Sequence, residues 1–228
     1  MLYPVNLDIS NRLCLVVGGG AVAARKIESL LRSGAIVRVV SPEACGKIRG
    51  LAVQGLIEWQ VRKYKHKDMQ EAFLVFAATD SDDVQKQIAE QAVKYGVLLN
   101  SASKPEGSDF HVPAKISRGN LLLTISTGGS SPALSTLIKK KLGTEFGSEY
   151  GTLLELMAQI RKEIISDGEP SDQNRLLFHE ILQLPILACI QERRWHDLRN
   201  HLARALPTEI DCDLLISRLK TEPADHLP

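Results

Sequence analysis

The sequence predicts an α/β fold in which a doubly wound parallel sheet precedes an all-helical region. Three observations predict it. Short apolar runs alternate with amphipathic stretches up to Asn100, and a Gly18-x-Gly20-x-x-Ala23 turn separates the first run from the first amphipathic stretch. Beyond Ser148 only helical periodicity remains.

The elements follow in order. Leu13-Cys14-Leu15-Val16-Val17 is continuously apolar, as in a strand buried on both faces. After Gly18-Gly19-Gly20 a helix is expected from Val22 to Ser33, with Ala23, Ile27, Leu30 and Leu31 at helical spacing and Gly34 as a left-handed stop. Ile36 to Val40 is the second strand, ended by Ser41-Pro42. Ile57 to Val61 alternates as a third, and Leu74 to Ala78 is a fourth, buried one. Asp80-Ser81-Asp82 caps a helix carrying Val84, Ile88, Ala92 and Val93, which stops at Gly96 before a fifth strand, Val97 to Leu99. Ser101 to Asp109 is polar and turn-rich, and Pro113 closes a short extended piece. Leu121 to Ser126 is a further strand. A helix from Pro132 has Leu134, Leu137, Ile138 and Leu142 along one stripe. Helices continue from Ser148 with Leu153, Leu156, Met157, Ile160 and Ile164, broken by a linker at Asp167 to Asp172. The expected division is 1–113, 114–147 and 148–228.

Composition narrows the function classes. A net charge of +1 gives no whole-molecule attraction to nucleic acid or an anionic membrane, so neither is expected as a partner. Cys14, Cys45, Cys189 and Cys212 form no C-x-x-C pair, so neither a disulfide framework nor a structural metal site is expected. Met1 to Arg12 has no basic stretch followed by an apolar run, and no apolar segment approaches the ~20 residues that span a bilayer. The expectation is a cytoplasmic protein without bound metal.

The glycine turn carries the first chemistry. Gly18 permits a tight turn, Gly20 leaves room for a diphosphate to approach backbone amides, and Ala23 lets the helix pack closely on the sheet. Unpaired amides at Ala21 and Val22, where the helix begins, attract phosphate charge. Ser41-Pro42-Glu43 follows the second strand, with Glu43 ~20 residues beyond the turn, near where an acid commonly meets a ribose 2′-hydroxyl; the alternative is a solvated loop residue. No Arg follows that strand immediately, which favours NAD over NADP. Ala77-Ala78-Thr79-Asp80 ends the fourth strand at the same edge; Asp80 has two readings, a dinucleotide contact or a helix cap. A second anion site is expected at Thr127-Gly128-Gly129-Ser130-Ser131, with Ser131 as N-cap and Pro132 as first helical residue; the alternative is an ordinary capped turn. Lys139-Lys140-Lys141 serves either an acidic substrate or solvation.

Together these residues resemble the precorrin-2 dehydrogenase/sirohydrochlorin ferrochelatase family, the dehydrogenase-chelatase module of siroheme synthases. The matching segments are Leu15 to Gly20 with Val22, Ala23, Arg25 and Lys26; Gly34-Ala35 with Val37 and Val39 to Glu43; Ala77 to Asp80; Asn100; Phe110, Pro113 and Ala114; Arg118; and Ile125 to Pro132. The resemblance spans about residues 1–145 and implies a Rossmann-type sheet followed by a dimerisation element and a helical C-terminal domain. It also implies NAD-dependent oxidation of precorrin-2 to sirohydrochlorin by a homodimer, with the carboxylate-rich substrate held by Asn100 and by Thr127 to Ser131. The sequence departs from the family's pattern where an aspartate usually stands three residues after the asparagine. Here that position is Ser103, and Ser117 replaces an acid before Arg118. A serine is neither a carboxylate base nor a comparable metal ligand, so dehydrogenation is expected without efficient metal insertion. Ser103 and His111 are the candidate catalytic residues, with His111 as substitute proton acceptor. Two competing readings are a non-catalytic NAD- or tetrapyrrole-binding protein acting through its helical tail, and an unrelated reductase with an acidic substrate.

Overall fold

A computed structural model describes residues 2–102, 107–165 and 172–221. The chain forms two compact units, one ending at Val112 and one beginning at Pro113.

In the first unit, β1 (Leu13–Val17), β2 (Ile36–Val40), β3 (Glu58–Gln60), β4 (Leu74–Ala77) and β5 (Leu98–Ser101) make one parallel sheet in the order β3-β2-β1-β4-β5. The order reverses between β1 and β4, so the chain leaving β1 enters the crevice where such sheets bind ligands. Both faces of the central strands are covered, which explains their unbroken apolar runs. Cys14, Val16, Val39 and Phe76 pack with Ala23, Ile27 and Leu30 of α1 (Ala21–Arg32). Leu15, Val17, Val75 and Leu99 pack with Ile88 and Ala92 of α3 (Asp82–Tyr95). Gly34 (φ 73°) ends the first of these helices, and Gly96 (φ 66°) ends the other, as their positions foretold. Val93, on α3's apolar periodicity, faces outward with 85% exposure. Two further elements have weak sequence signals: α2 (Gly46–Val53), which buries only Ile48, and a 3-10 turn at His66–Met69.

Beyond β5 the chain doubles back along that strand. Asp109 donates its N–H to the Leu99 carbonyl (2.8 Å) and accepts the Leu99 N–H on its carboxylate (2.9 Å). The Ser108 hydroxyl accepts the Ser101 N–H (2.9 Å), and the Asn100 side-chain amide donates to the Phe110 carbonyl (2.8 Å). The polar side chains of Asn100, Ser108 and Asp109 are thus spent on tethering a return segment.

The second unit opens with an antiparallel hairpin, β6 (Ala114–Arg118) and β7 (Leu121–Ile125), turned at Gly119 (φ 53°). Then come α4 (Pro132–Glu145), α5 (Glu149–Ile164), α6 (Asp172–Gln183), α7 (Ile186–Gln191), α8 (Trp195–Ala205) and α9 (Cys212–Thr221). Leu156, Ile160, Ile181, Cys189, Leu198, Leu202 and Leu215 form its core. The hairpin turn meets α5 backbone to backbone: a Cβ on Gly151 would come within 3.2 Å of the Arg118 carbonyl group, and one on Gly119 within 3.4 Å of Gly151 Cα. Arg118 donates to the Phe146 carbonyl (3.1 Å) and the Gly143 carbonyl (3.3 Å), satisfying acceptors at the end of α4. Part of the apolar stripe of α4 faces outward in the single chain, with Leu134 46% and Leu137 63% exposed, whereas Ile138 and Leu142 are half-buried. Of the expected linker, only Asp172 lies among the described residues, where it begins α6.

Candidate functional site

The amides at the start of α1 are open. Gly20 is the N-cap, no side chain caps it, and the first turn contains no acid. The Gly20 carbonyl accepts the Ala24 N–H (3.0 Å), whereas the amides of Ala21, Val22 and Ala23 precede the helical ladder and need an external acceptor. A Cβ built on Gly20 meets nothing within 4 Å, so the space before these amides is free.

The other two glycines are there for the chain itself. Gly18 has φ 129°, which disfavours any side chain, and a Cβ there would overlap the Ala78 carbonyl group. Gly19 lies under the loop after β2: its carbonyl accepts the Cys45 N–H (2.8 Å), and a Cβ would collide with the Glu43 carbonyl, 2.8 Å from Ser41 Oγ and 2.9 Å from Ala44 Cα. Sequence reasoning gave Gly19 no role, and its closeness to a residue far along the chain has no local signal.

Ser41, Pro42 and Glu43 stand at the carboxyl end of β2, beside the glycine turn. Ser41 is 7% exposed and internally bonded: its hydroxyl donates to the Glu43 carbonyl, and its carbonyl accepts Trp59 Nε1–H (3.1 Å). It shapes the loop, while Pro42 and Glu43 are exposed. Lys47, in the first turn of α2, is ion-paired with Glu28 of α1.

At the end of β4, Ser81 is the N-cap of α3, accepting the Val84 N–H on its hydroxyl (3.4 Å). Asp80 is exposed and is not the cap. The Thr79 carbonyl accepts Gln85 Nε2–H (2.6 Å), and the Ser101 hydroxyl donates to Gln85 Oε1 (3.4 Å), so buried Gln85 ties the β4 end to the β5 end. Asn100 is 7% exposed and bonded at both ends of its carboxamide: Oδ1 accepts Lys26 Nζ–H (2.8 Å) while Nδ2 donates to Phe110. His111 follows Phe110 and is exposed. Ser103 lies outside the described residues.

In the second unit, Ser131 caps α4 through the Leu134 N–H (3.2 Å), with Pro132 in the first turn. Gly128 (φ 60°) and Gly129 (φ 84°) are both left-handed. The Thr127 hydroxyl donates to the Ser131 carbonyl (3.1 Å) and accepts the Ser131 N–H (3.3 Å), bracing the loop from inside. Ser130 and the Gly129 backbone are exposed. Lys139, Lys140 and Lys141 are exposed on α4. A cavity of about 550 Å³ in this unit, lined by Met157, Arg161, Arg175 and Phe178 among others, includes none of the expected site residues. Among the described residues, no cluster of three His, Cys, Asp or Glu could hold a metal ion, the cysteines are unpaired, and no helix is long and apolar enough to cross a membrane.

Residues 5–114 match a family model described as "Putative NAD(P)-binding". The solved structure of SirC, a precorrin-2 dehydrogenase, superposes with a TM-score of 0.74 at 29% identity, covering 90% of this chain and 98% of that one. The siroheme synthase of Thioalkalivibrio sulfidiphilus is 32% identical over 209 residues, 92% of this chain and 43% of that protein. The chain is a homologue of SirC-type precorrin-2 dehydrogenases and of the N-terminal module of siroheme synthases. The siroheme synthase of Photorhabdus laumondii is 35% identical over 161 residues, 71% of this chain and 34% of that protein. The chain therefore spans less than half the length of the curated relatives it matches, whereas it spans nearly the whole of SirC. The residues matched by that family model include both the glycine turn and the β5 return segment.

Proposed function

We propose that the protein is an NAD-dependent precorrin-2 dehydrogenase, oxidising precorrin-2 to sirohydrochlorin on the way to siroheme or cobalamin. The observation that carries this reading is the uncapped, acid-free start of α1 with open space at Gly20. Such an end suits a dinucleotide diphosphate, held by backbone N–H groups of Ala21 and Val22 over Gly18 and Gly20. Glu43 and Pro42 flank the adenosine ribose, and Thr79 and Asp80 border the dinucleotide where it crosses the strand ends. The pairing of Lys47 with Glu28 leaves that cation neutralised, which supports a 2′-hydroxyl over a 2′-phosphate and hence NAD. NAD, when bound, supplies the hydride acceptor. The chain's part is to orient the substrate carbon toward it and to accept a proton, for which exposed His111 is the candidate.

The substrate's carboxylates find partners in the exposed Gly129 amide and Ser130 hydroxyl, in a loop kept rigid by Thr127 and Ser131. Leu122, Leu134 and Leu137, all exposed on β7 and α4, support a second copy of the chain covering this surface. The unpaired cysteines fit a reducing cytoplasm. Serine at 103 supplies no carboxylate where the family's pattern has an aspartate, so metal insertion into sirohydrochlorin is slow or absent.

The test mixes purified protein, NAD and freshly generated precorrin-2, following sirohydrochlorin and NADH absorbance together. Stoichiometric appearance of both above the protein-free rate supports the reading. NADH binding without turnover supports the second reading, a non-catalytic NAD- or tetrapyrrole-binding protein, which Ser103 favours. Cobalt or ferrous ion added to sirohydrochlorin tests insertion separately.

A further inference from the structure

Lys26 lies in the second turn of α1, beyond the amides that face the diphosphate, and it is half-buried. Its ammonium donates to Asn100 Oδ1 (2.8 Å) and sits 5.2 Å from the centre of the Phe76 ring on β4. The Asn100 amide passes the link to the Phe110 carbonyl (2.8 Å), and the Phe110 ring returns to meet Phe76 edge-on, centroids 5.4 Å apart at 88°. An ammonium, a carboxamide, a backbone carbonyl and two rings thus form a closed circuit through α1, β4, β5 and the return segment.

The charge in this circuit is costly. Burial and the adjacent Arg25 push the Lys26 pKa below the usual lysine value, and among the described residues no carboxylate pairs with it. A methionine of similar length would fill the same space without desolvating an ion. Packing alone therefore gives no reason for an ammonium here. The groups facing it from β4, β5 and the return segment (Phe76, Asn100, Phe110) are uncharged, the Asp109 carboxylate is engaged by the Leu99 N–H, and His111 is exposed.

We propose that Lys26 is a positioning residue for hydride transfer, holding the Asn100 carboxamide in one orientation and, through it, the Phe110–His111 backbone of the return segment beside β5. This assignment rests on the dehydrogenase reading. With Oδ1 bound by the ammonium, the carboxamide cannot flip, and Nδ2 must face Phe110. Without the ammonium, Oδ1 loses its donor, the single bond to Phe110 is left to restrain the carboxamide, and the residue carrying the imidazole is held less firmly.

Lys26→Met, Lys26→Arg and wild type are compared for kcat, KM for NAD, the pH profile of kcat, NADH affinity and thermal stability. The expected result for Lys26→Met is a loss of about tenfold or more in kcat, with NADH affinity and KM for NAD within about twofold, because the diphosphate amides are untouched. Its kcat also loses the alkaline limb that deprotonation of Lys26 gives the wild type. Lys26→Arg recovers most of kcat and moves that limb to higher pH. If Lys26→Met does not fold, Lys26→Gln, which keeps a donor without the charge, takes its place with the same expected loss of the limb. Wild-type kcat and an unchanged limb in Lys26→Met, or equal damage in Lys26→Arg, overturn the assignment while leaving the dehydrogenase reading intact. A wild-type protein that binds NADH but forms no sirohydrochlorin overturns the dehydrogenase reading and this assignment with it.

Discussion

Replacing Gly20 with alanine separates room for a ligand from room for the chain. Gly20 has φ −85° and ψ −173°, an extended conformation that alanine adopts freely, and its Cβ would have no neighbour within 4 Å. Alanine restricts the unfolded chain, worth about 0.4–1 kcal/mol, and gives back a few tenths as the poorer N-cap. The melting temperature should therefore move by no more than about 2–4 °C. Binding is another matter. A diphosphate oxygen bonded to the α1 amides must come to ~2.9 Å from nitrogen, and a methyl group beside that approach forces it back. Losing one charge-assisted hydrogen bond costs about 1.5–3 kcal/mol, or roughly 10- to 150-fold in Kd. Gly19→Ala should do the reverse. Its methyl drives into the Glu43 carbonyl and lies against Ser41 and Ala44, costing about 1–3 kcal/mol of stability. Titration of intrinsic NADH fluorescence with parallel thermal melts reads both quantities on each variant. Unchanged NADH affinity in Gly20→Ala, or a stability loss there as large as in Gly19→Ala, would refute the assignment of that space to the diphosphate.

Three further outcomes are expected. Asp68, 4% exposed, receives two hydrogen bonds from Arg62 (2.6 and 2.7 Å) and one from the Lys65 N–H (2.8 Å); burial opposes its charge, but these partners outweigh burial and hold its pKa below the usual aspartate value. Its contribution is then fully present above the ordinary carboxylate range and is lost as pH falls through the lowered value. Asp68→Asn should cost about 2 kcal/mol at neutral pH, with the gap in urea midpoint closing in acid; a gap independent of pH contradicts this. Gln85→Leu leaves the Thr79 carbonyl without its side-chain donor, so it should cost about 1–2 kcal/mol and weaken NADH binding several-fold, read by melting and fluorescence titration. Ile160, fully buried in the second core, should cost about 2–5 kcal/mol when cut to alanine, measured by urea unfolding followed by circular dichroism.

Much of the first unit is legible because its strands are buried on both faces and its helices end on glycines. Leu13 to Val17 and Leu74 to Ala77 announce themselves as apolar runs, Ile36 to Val40 as one interrupted only by Arg38, and Gly34 and Gly96 as left-handed stops. The helix Gly46–Val53 is not legible, since two glycines and one buried side chain give it no periodic face. Nor is the strand Ala114–Arg118, whose alternation is carried by few apolar residues. At the candidate site, Gly18 and Gly20 are readable from their place between a strand and a helix. Gly19 is not, because its constraint comes from the Glu43 carbonyl, nor is the Lys26–Asn100 bond, whose partners lie 74 residues apart. Local pattern carries backbone conformation and burial; it does not carry which distant polar atoms meet.

The glycine seam between the β6–β7 turn and α5 has a mechanical consequence. Where two backbones touch with no side chains between them, there is no soft layer to absorb displacement. Tilting α5 must drag the hairpin along, and clamping the hairpin, by a neighbouring copy of the chain for instance, must stiffen the helices behind it. A methyl group inserted at Gly151 would act as a wedge driven into that joint, prying the two apart against the Arg118 carbonyl.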